Sequence, residues 1–195
     1  DAERLLGAAL EAGMRRNHPL HVEIHRATLT QDMRRTMSLV ERFPEVRFTA
    51  DLSHWYTGLE MPYGDFAAKL DRLAPVFERV RMIHGRIGDS GCMQVGMSVA
   101  PEREAIAHFR EMWLRCCKGF LRGAVAGDIL PFAAELLPNA VIYQGQNAPL
   151  NYARLVKGAD GVLREESDRW EDAESLWAIA ADVFEAAVVE HDADT

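Results

Sequence analysis

Four short apolar runs, HVEIH, VRFTAD, VRMIH and PFAAE, recur along the chain with helical patterns between them, and each ends on or next to an acid or an imidazole. The stretches between successive runs are too long for hairpins, and a strand that returns through a helix pairs in parallel with its predecessor. The alternation therefore predicts an α/β protein built of parallel β/α units. Four such units are present, and a closed eight-stranded β/α barrel needs twice that number, so the count is that of half a barrel. With 195 residues, 48% of them hydrophobic, the chain suffices for one core and is short for two, so a single domain over 1–195 is expected.

Between the strands the helical signals are local. DAERLLGAALEAGMRR places Leu5, Leu6, Ala9, Leu10 and Met14 at helical spacing from its second residue onward. Because it opens on a helix without an initiator Met, the chain is expected to start inside a larger protein and to be incomplete at its N-terminus. TQDMRRTMSLVERFP predicts a helix with Thr30 as N-cap and Pro44 as its stop. YGDFAAKLDRLAPVFERV is helical with a break near Pro75, and GDSGCMQVGMSVAP is a long loop. PEREAIAHFREMWLRCCKGFLRG predicts a long helix, VKGADG a turn, and the tail from Glu165 a further helix.

Charge and cysteines exclude several classes. The net charge of -8 and the lack of a Lys/Arg run argue against a nucleic-acid partner. Cys92, Cys116 and Cys117 show no CxxC spacing, which argues against a disulfide framework or a zinc ribbon and for a reducing cytoplasm. No apolar run approaches the ~18 residues of a membrane span, and no signal-peptide pattern is present, so a soluble cytoplasmic protein with no membrane contact is expected.

The strand ends carry the chemistry. In a parallel sheet the C-terminal strand ends share one face, where such folds place their sites. Glu23, Asp51 with His54, His84 and Glu135 all occupy that place in successive units. A single strand-end acid is more often a helix cap or a solvated residue; the repeated placement lifts these four above that reading. Two Glu, one Asp and one or two His gathered in one spot repel one another and are badly desolvated, a conflict that a divalent cation resolves. Carboxylate and imidazole without thiolate suit Mn, Co, Fe or Zn, and Mg if waters complete the shell. His18, His21, His25, His108 and His191 read as packed or exposed residues, Cys116 and Cys117 as core, and Met82, Met93 and Met97 as packing.

VEIH, DLSHW, IHGRIG and FAAELLP, in that order, together with HGRIGDSGCMQV and ESDRW, resemble the second half of the xylose-isomerase-like TIM barrels, the sugar phosphate isomerase/epimerase group. The resemblance covers nearly the whole chain and implies strands five to eight of that barrel. It implies one divalent metal ion held by Glu23, Asp51, His84 and Glu135, with His54 binding substrate and Arg86 as a substrate-side cation. The implied activity, within carbohydrate metabolism, is isomerisation or epimerisation of a sugar or sugar-like polyol. A proton alpha to a carbonyl is removed through a metal-stabilised enediolate, with Glu23 and Glu135 as the acid/base pair. The implied partners are a small-molecule carbohydrate and, for the open sheet edges, a second copy or a missing N-terminal half-barrel. On the same scaffold a dehydratase shares these residues. An apurinic endonuclease ranks lower, since after His84 it needs further His or Asp ligands and basic surface, and GRIGDSG offers Asp89 alone. From another class, a non-catalytic half-barrel serving binding or assembly is the alternative. Asp51→Ala is expected to abolish metal binding with the helices intact, and His54→Ala to keep the metal and weaken turnover.

Overall fold

The computed structural model describes residues 1–97 and 103–194. Ser98 to Ala100 of the expected loop, and Pro101 and Glu102 of the expected long helix, lie outside the described residues. Four strands, β1 (His21–Glu23), β2 (Arg47–Ala50), β3 (Val80–Gly85) and β4 (Phe132–Ala134), form one parallel sheet in sequential order. The α/β reading and the parallel pairing are thus what the chain adopts. Phe48, Ala50, Val80 and Ile83 are buried, as strands covered by crossover helices must be.

The helices between the strands form where their ends can be satisfied. Helix α1 (Ala2–Arg15) buries Leu6, Leu10 and Gly13 on one face. Helix α2 (Met33–Arg42) is capped by Asp32, whose carboxylate accepts from Arg35 N at 2.7 Å. Thr30, expected as that cap, instead turns inward and is fully buried. Helix α3 (Ser53–Gly58) follows β2 directly; α4 (Phe66–Arg72) is capped by Asp65, and α5 (Ala74–Phe77) starts around Pro75, the expected break. Helix α6 (Glu104–Leu121) buries Phe109, Met112, Trp113, Cys116 and Cys117. Both thiols are core groups: burial pushes Cys117 up to about 12 and Cys116 well above its ordinary value, so neither is poised to react.

A sequential order without reversal, joined by right-handed crossovers, sends every connecting helix to the same face of the sheet. There α6 and α7 (Arg169–Asp194) pack on β3 and β4. Helix α7 starts at Arg169 rather than Glu165, because Asp168 Oδ1 accepts from Trp170 N at 2.8 Å and fixes the first turn. Glu165 ends a strand instead.

Two hairpins that the sequence pattern did not announce lie between β4 and α7. They are β5 (Ala140–Tyr143) with β6 (Gln146–Pro149), and β7 (Leu155–Lys157) with β8 (Leu163–Glu165). Gln144 and Gly145, with φ of 50° and 75°, make the two-residue turn of the first, and the VKGADG turn joins the second. Among the described residues no helix is long and apolar enough to cross a membrane.

Close approach of α6 to α5 depends on Gly119. A Cβ there would lie 2.5 Å from the Phe77 carbonyl oxygen and 2.7 Å from Glu78 Cα, backbone atoms that cannot rotate away. Gly119→Ala is expected to cost about 1–3 kcal/mol through forced separation of the two helices. Urea denaturation measures it, and an unshifted midpoint would show that the helices part freely.

Candidate functional site

The pleat sets the site's geometry. Side chains two residues apart share a face, and the registers Glu23↔Thr49, Thr49↔Met82 and His84↔Ala133 align the strands so that Glu23, Asp51, His84 and Glu135 share one. One donor atom from each of these four residues lies within 4.8 Å of the other three. His84 Nδ1 donates to Glu23 Oε1 at 2.9 Å and stands 3.4 Å from Glu135 Oε2. All four strand-end candidates are therefore brought together at the C-terminal edge.

Beneath them lies a floor that the sequence did not reveal. Arg86 Nη2 donates to Asp51 Oδ2 at 2.5 Å and to Glu135 Oε2 at 2.6 Å. Asp51 Oδ1 accepts from Ser53 Oγ at 2.5 Å and Ser53 N at 3.3 Å. His54 Nε2 lies 3.2 Å from Asp51 Oδ2, close enough for an ion pair but outside hydrogen-bond alignment. The side chains of Asp51 and His54 are 0% exposed and that of Arg86 1%, whereas Glu23 and Glu135 keep 38% and 35%. The two glutamates form the mouth. His54 and Arg86, expected at the substrate, belong to the floor in this arrangement, where neither offers surface to a molecule in solution.

The loop after β1 is tied down locally. Thr30 Oγ1 donates to the Glu23 carbonyl at 2.6 Å and accepts from His25 N at 3.1 Å, while Trp55 Nε1 donates to the Thr30 carbonyl at 2.7 Å. These bonds hold the end of β1 against α3 and so position Glu23. His25, read as a plain neighbour, packs against His54 with ring centroids 3.8 Å apart and ring planes tilted by 46°. Its place two residues beyond Glu23 was the available signal. Tyr152 carries the Arg26 guanidinium 4.6 Å and the Arg86 guanidinium 4.5 Å from its ring centre, contacts for which the sequence held no signal. His108 shares a hydrogen bond with Tyr56 Oη at 2.8 Å and is packed; His18 is exposed, and His191 is half-buried rather than exposed.

Electrostatics follow from these contacts. Burial pushes the Asp51 carboxyl up, but His54, the Arg86 charge and Ser53 more than offset it and hold the group well below the usual carboxylate range. The Glu135 carboxylate, against the opposing effect of burial and with help from Glu23, raises His84 above its ordinary value. The imidazolium of His84 therefore adds stability that is full below about pH 6.5 and lost as pH rises through its folded pKa.

In the sequence the clustered acids have no counter-charge but the imidazoles and an ion. In the structure a guanidinium already stands between Asp51 and Glu135, and His84 between the two glutamates, so the carboxylates hold together on protein charges alone. The donor set still fits a divalent ion. Three carboxylates and one imidazole, without thiolate, are grouped at nearly the spacing of ligands that share one centre, about 3–4 Å apart. Asp89, the extra acid near this edge, pairs with Arg154 at 2.8 Å and lies outside the cluster.

No family model, curated protein or solved structure matches the chain.

Proposed function

We propose that the chain is the metal-binding half of a β/α barrel, of the xylose-isomerase-like kind, that isomerises or epimerises a sugar or sugar-like polyol. Glu23, Asp51, His84 and Glu135 hold one divalent cation of the Mn, Mg, Co, Zn or Fe group. The observation that carries this reading is the convergence of four donors within 4.8 Å at the C-terminal edge of a sequentially ordered parallel sheet. Such a sheet, with its helices on one face, is how half of a singly wound barrel is built.

A bound divalent cation would supply Lewis-acid polarisation of a substrate carbonyl. The proton chemistry belongs to the protein. Glu23 and Glu135 are the half-exposed carboxylates, placed to take a proton from the carbon next to that carbonyl and return it to the neighbouring carbon or the opposite face. Before an ion binds, His84 holds Glu23 through Oε1 and Arg86 holds Glu135 through Oε2, so both carboxylates already face the site. His54 supports Asp51 from below. The outer strands β1 and β4 are where a second half-barrel, from a longer chain or a second copy, would pair. Beside β4 an apolar groove of about 200 Å³, lined by Ile83, Phe132, Trp177 and Phe184, is the surface such a neighbour would cover.

One observation favours the alternative, a binding or assembly module without a metal: Arg86 already pairs two of the four carboxylates. Calorimetric titration of the chelator-treated protein with Mn²⁺, Co²⁺ and Zn²⁺ separates the two. One ion per chain is expected, with Glu23→Gln weakening it by about tenfold or more. No ion bound at millimolar concentration would rule out the metal-dependent reading.

A further inference from the structure

We infer that Arg86 fills the cation's place in the metal-free protein and must release Asp51 and Glu135 before an ion binds, so that this arginine sets the metal affinity. The inference rests on the metal-binding reading above and goes beyond it, since it gives the protein a built-in competitor for its own site.

Both oxygens of Asp51 have protein partners. Oδ1 accepts twice from Ser53, through Oγ at 2.5 Å and N at 3.3 Å, both within the first turn of α3. Oδ2 takes Arg86 Nη2 at 2.5 Å and has His54 3.2 Å away. Oδ1 is thus committed to Ser53, and Oδ2 would have to share its lone pairs between the guanidinium and an ion. The two Ser53 bonds are short-range and wholly buried, held by the strand-to-helix turn itself. The bond that can be exchanged is the one to Arg86, which comes from another strand end. At Glu135 the oxygen that faces His84, Oε2, accepts from the same Nη2 at 2.6 Å. A divalent cation sharing those oxygens with the guanidinium would meet a like charge at close range, in a floor where the Asp51 and Arg86 side chains have 0% and 1% of their surface exposed.

Arg86 keeps one contact when it lets go. Its Cζ already lies 4.5 Å from the Tyr152 ring centre, a face that accepts a guanidinium. Nε and Nη1 are buried and, among the described residues, have no hydrogen-bond partner. The side chain is thus held at the carboxylates by Nη2 alone, and turning the guanidinium against the Tyr152 ring gives up only those two bonds.

The opposite role has the opposite sign. An arginine that stayed on the carboxylates as an outer partner of the ion would strengthen binding, and its removal would weaken the affinity. A competitor's removal tightens it. Arg86→Gln is accordingly expected to bind Mn²⁺ about tenfold or more tightly than the wild type in calorimetric titration, within the range of ordinary site coupling. In the wild type, saturation with diamagnetic Zn²⁺ is expected to shift the Arg86 Nε–H resonance and speed its exchange with water. That second measurement stands if the variant does not fold. Equal or weaker Mn²⁺ binding by a folded Arg86→Gln, or an Arg86 resonance unmoved by Zn²⁺, would overturn the inference and leave the metal site standing. A wild type that binds neither ion overturns the metal reading and this inference with it.

Discussion

Asp51→Ala is expected to lower the stability of the metal-free protein by about 3–5 kcal/mol, the usual cost of stranding one partner of a buried ion pair. Arg86 is the stranded partner. Its side chain is 1% exposed, its Nε and Nη1 already lack partners among the described residues, and losing Asp51 leaves Nη2 with Glu135 alone. Ser53 Oγ loses its acceptor in the same step. The sequence alone suggested a ligand whose removal costs only metal binding, which suits a residue at a solvated mouth. A wholly buried carboxylate with three protein partners is different, because its charge balances the floor. Because the Asp51 pKa is held below its unfolded value, the stability it contributes is present above about pH 3.9 and lost as pH falls below that. Wild type and variant should thus differ strongly in urea at neutral pH and converge in acid. A common midpoint at neutral pH would show that Arg86 does not depend on Asp51.

Glu135→Gln is expected to act on turnover instead. With 35% of its side chain exposed, Glu135 sits at the mouth, and the amide keeps an oxygen to accept from Arg86, so the folded state changes little. What the amide cannot do is take a proton, and losing a general base or acid costs about 10²–10⁴-fold in rate. Glu23→Gln should match it if the two work as a pair. Incorporation of solvent deuterium at the carbon next to the carbonyl, followed by mass over a panel of ketoses and ketose phosphates, reads this step without a known product. Exchange at the wild-type rate in Glu135→Gln would remove that residue from proton transfer. If the ions bind but no sugar exchanges, the cluster is a metal site without this chemistry.

Much of the scaffold was legible because its signals are local. HVEIH, FTAD, VRMIH and PFAAE are apolar runs of strand length separated by helical patterns, and such runs pair in parallel wherever a helix intervenes. The donors at their ends were legible for the same reason, since parallel strands deliver their C-terminal ends to one face. Both hairpins escaped notice because their strands do not bury an alternating apolar face: Gln146–Pro149 is QNAP, and Val141 to Tyr143 are exposed. Gln144–Gly145 in the first and VKGADG in the second were the turn signals there. Thr30 was the expected cap of α2, and its burial under Trp55 left that place to Asp32, two positions on.

By itself the sequence determined the alternation of strand and helix, the parallel pairing that follows from it, and which residue types stand at the four strand ends. Those properties depend on neighbours a few positions away. Only the tertiary structure decided that Arg86 reaches Asp51 and Glu135, that His25 lies on His54, and that Asp51 is floor while Glu23 and Glu135 are mouth. Arg86 is 35 and 49 residues from its two partners, and which side chains meet across such a span depends on strand register and on how far each end projects past the sheet.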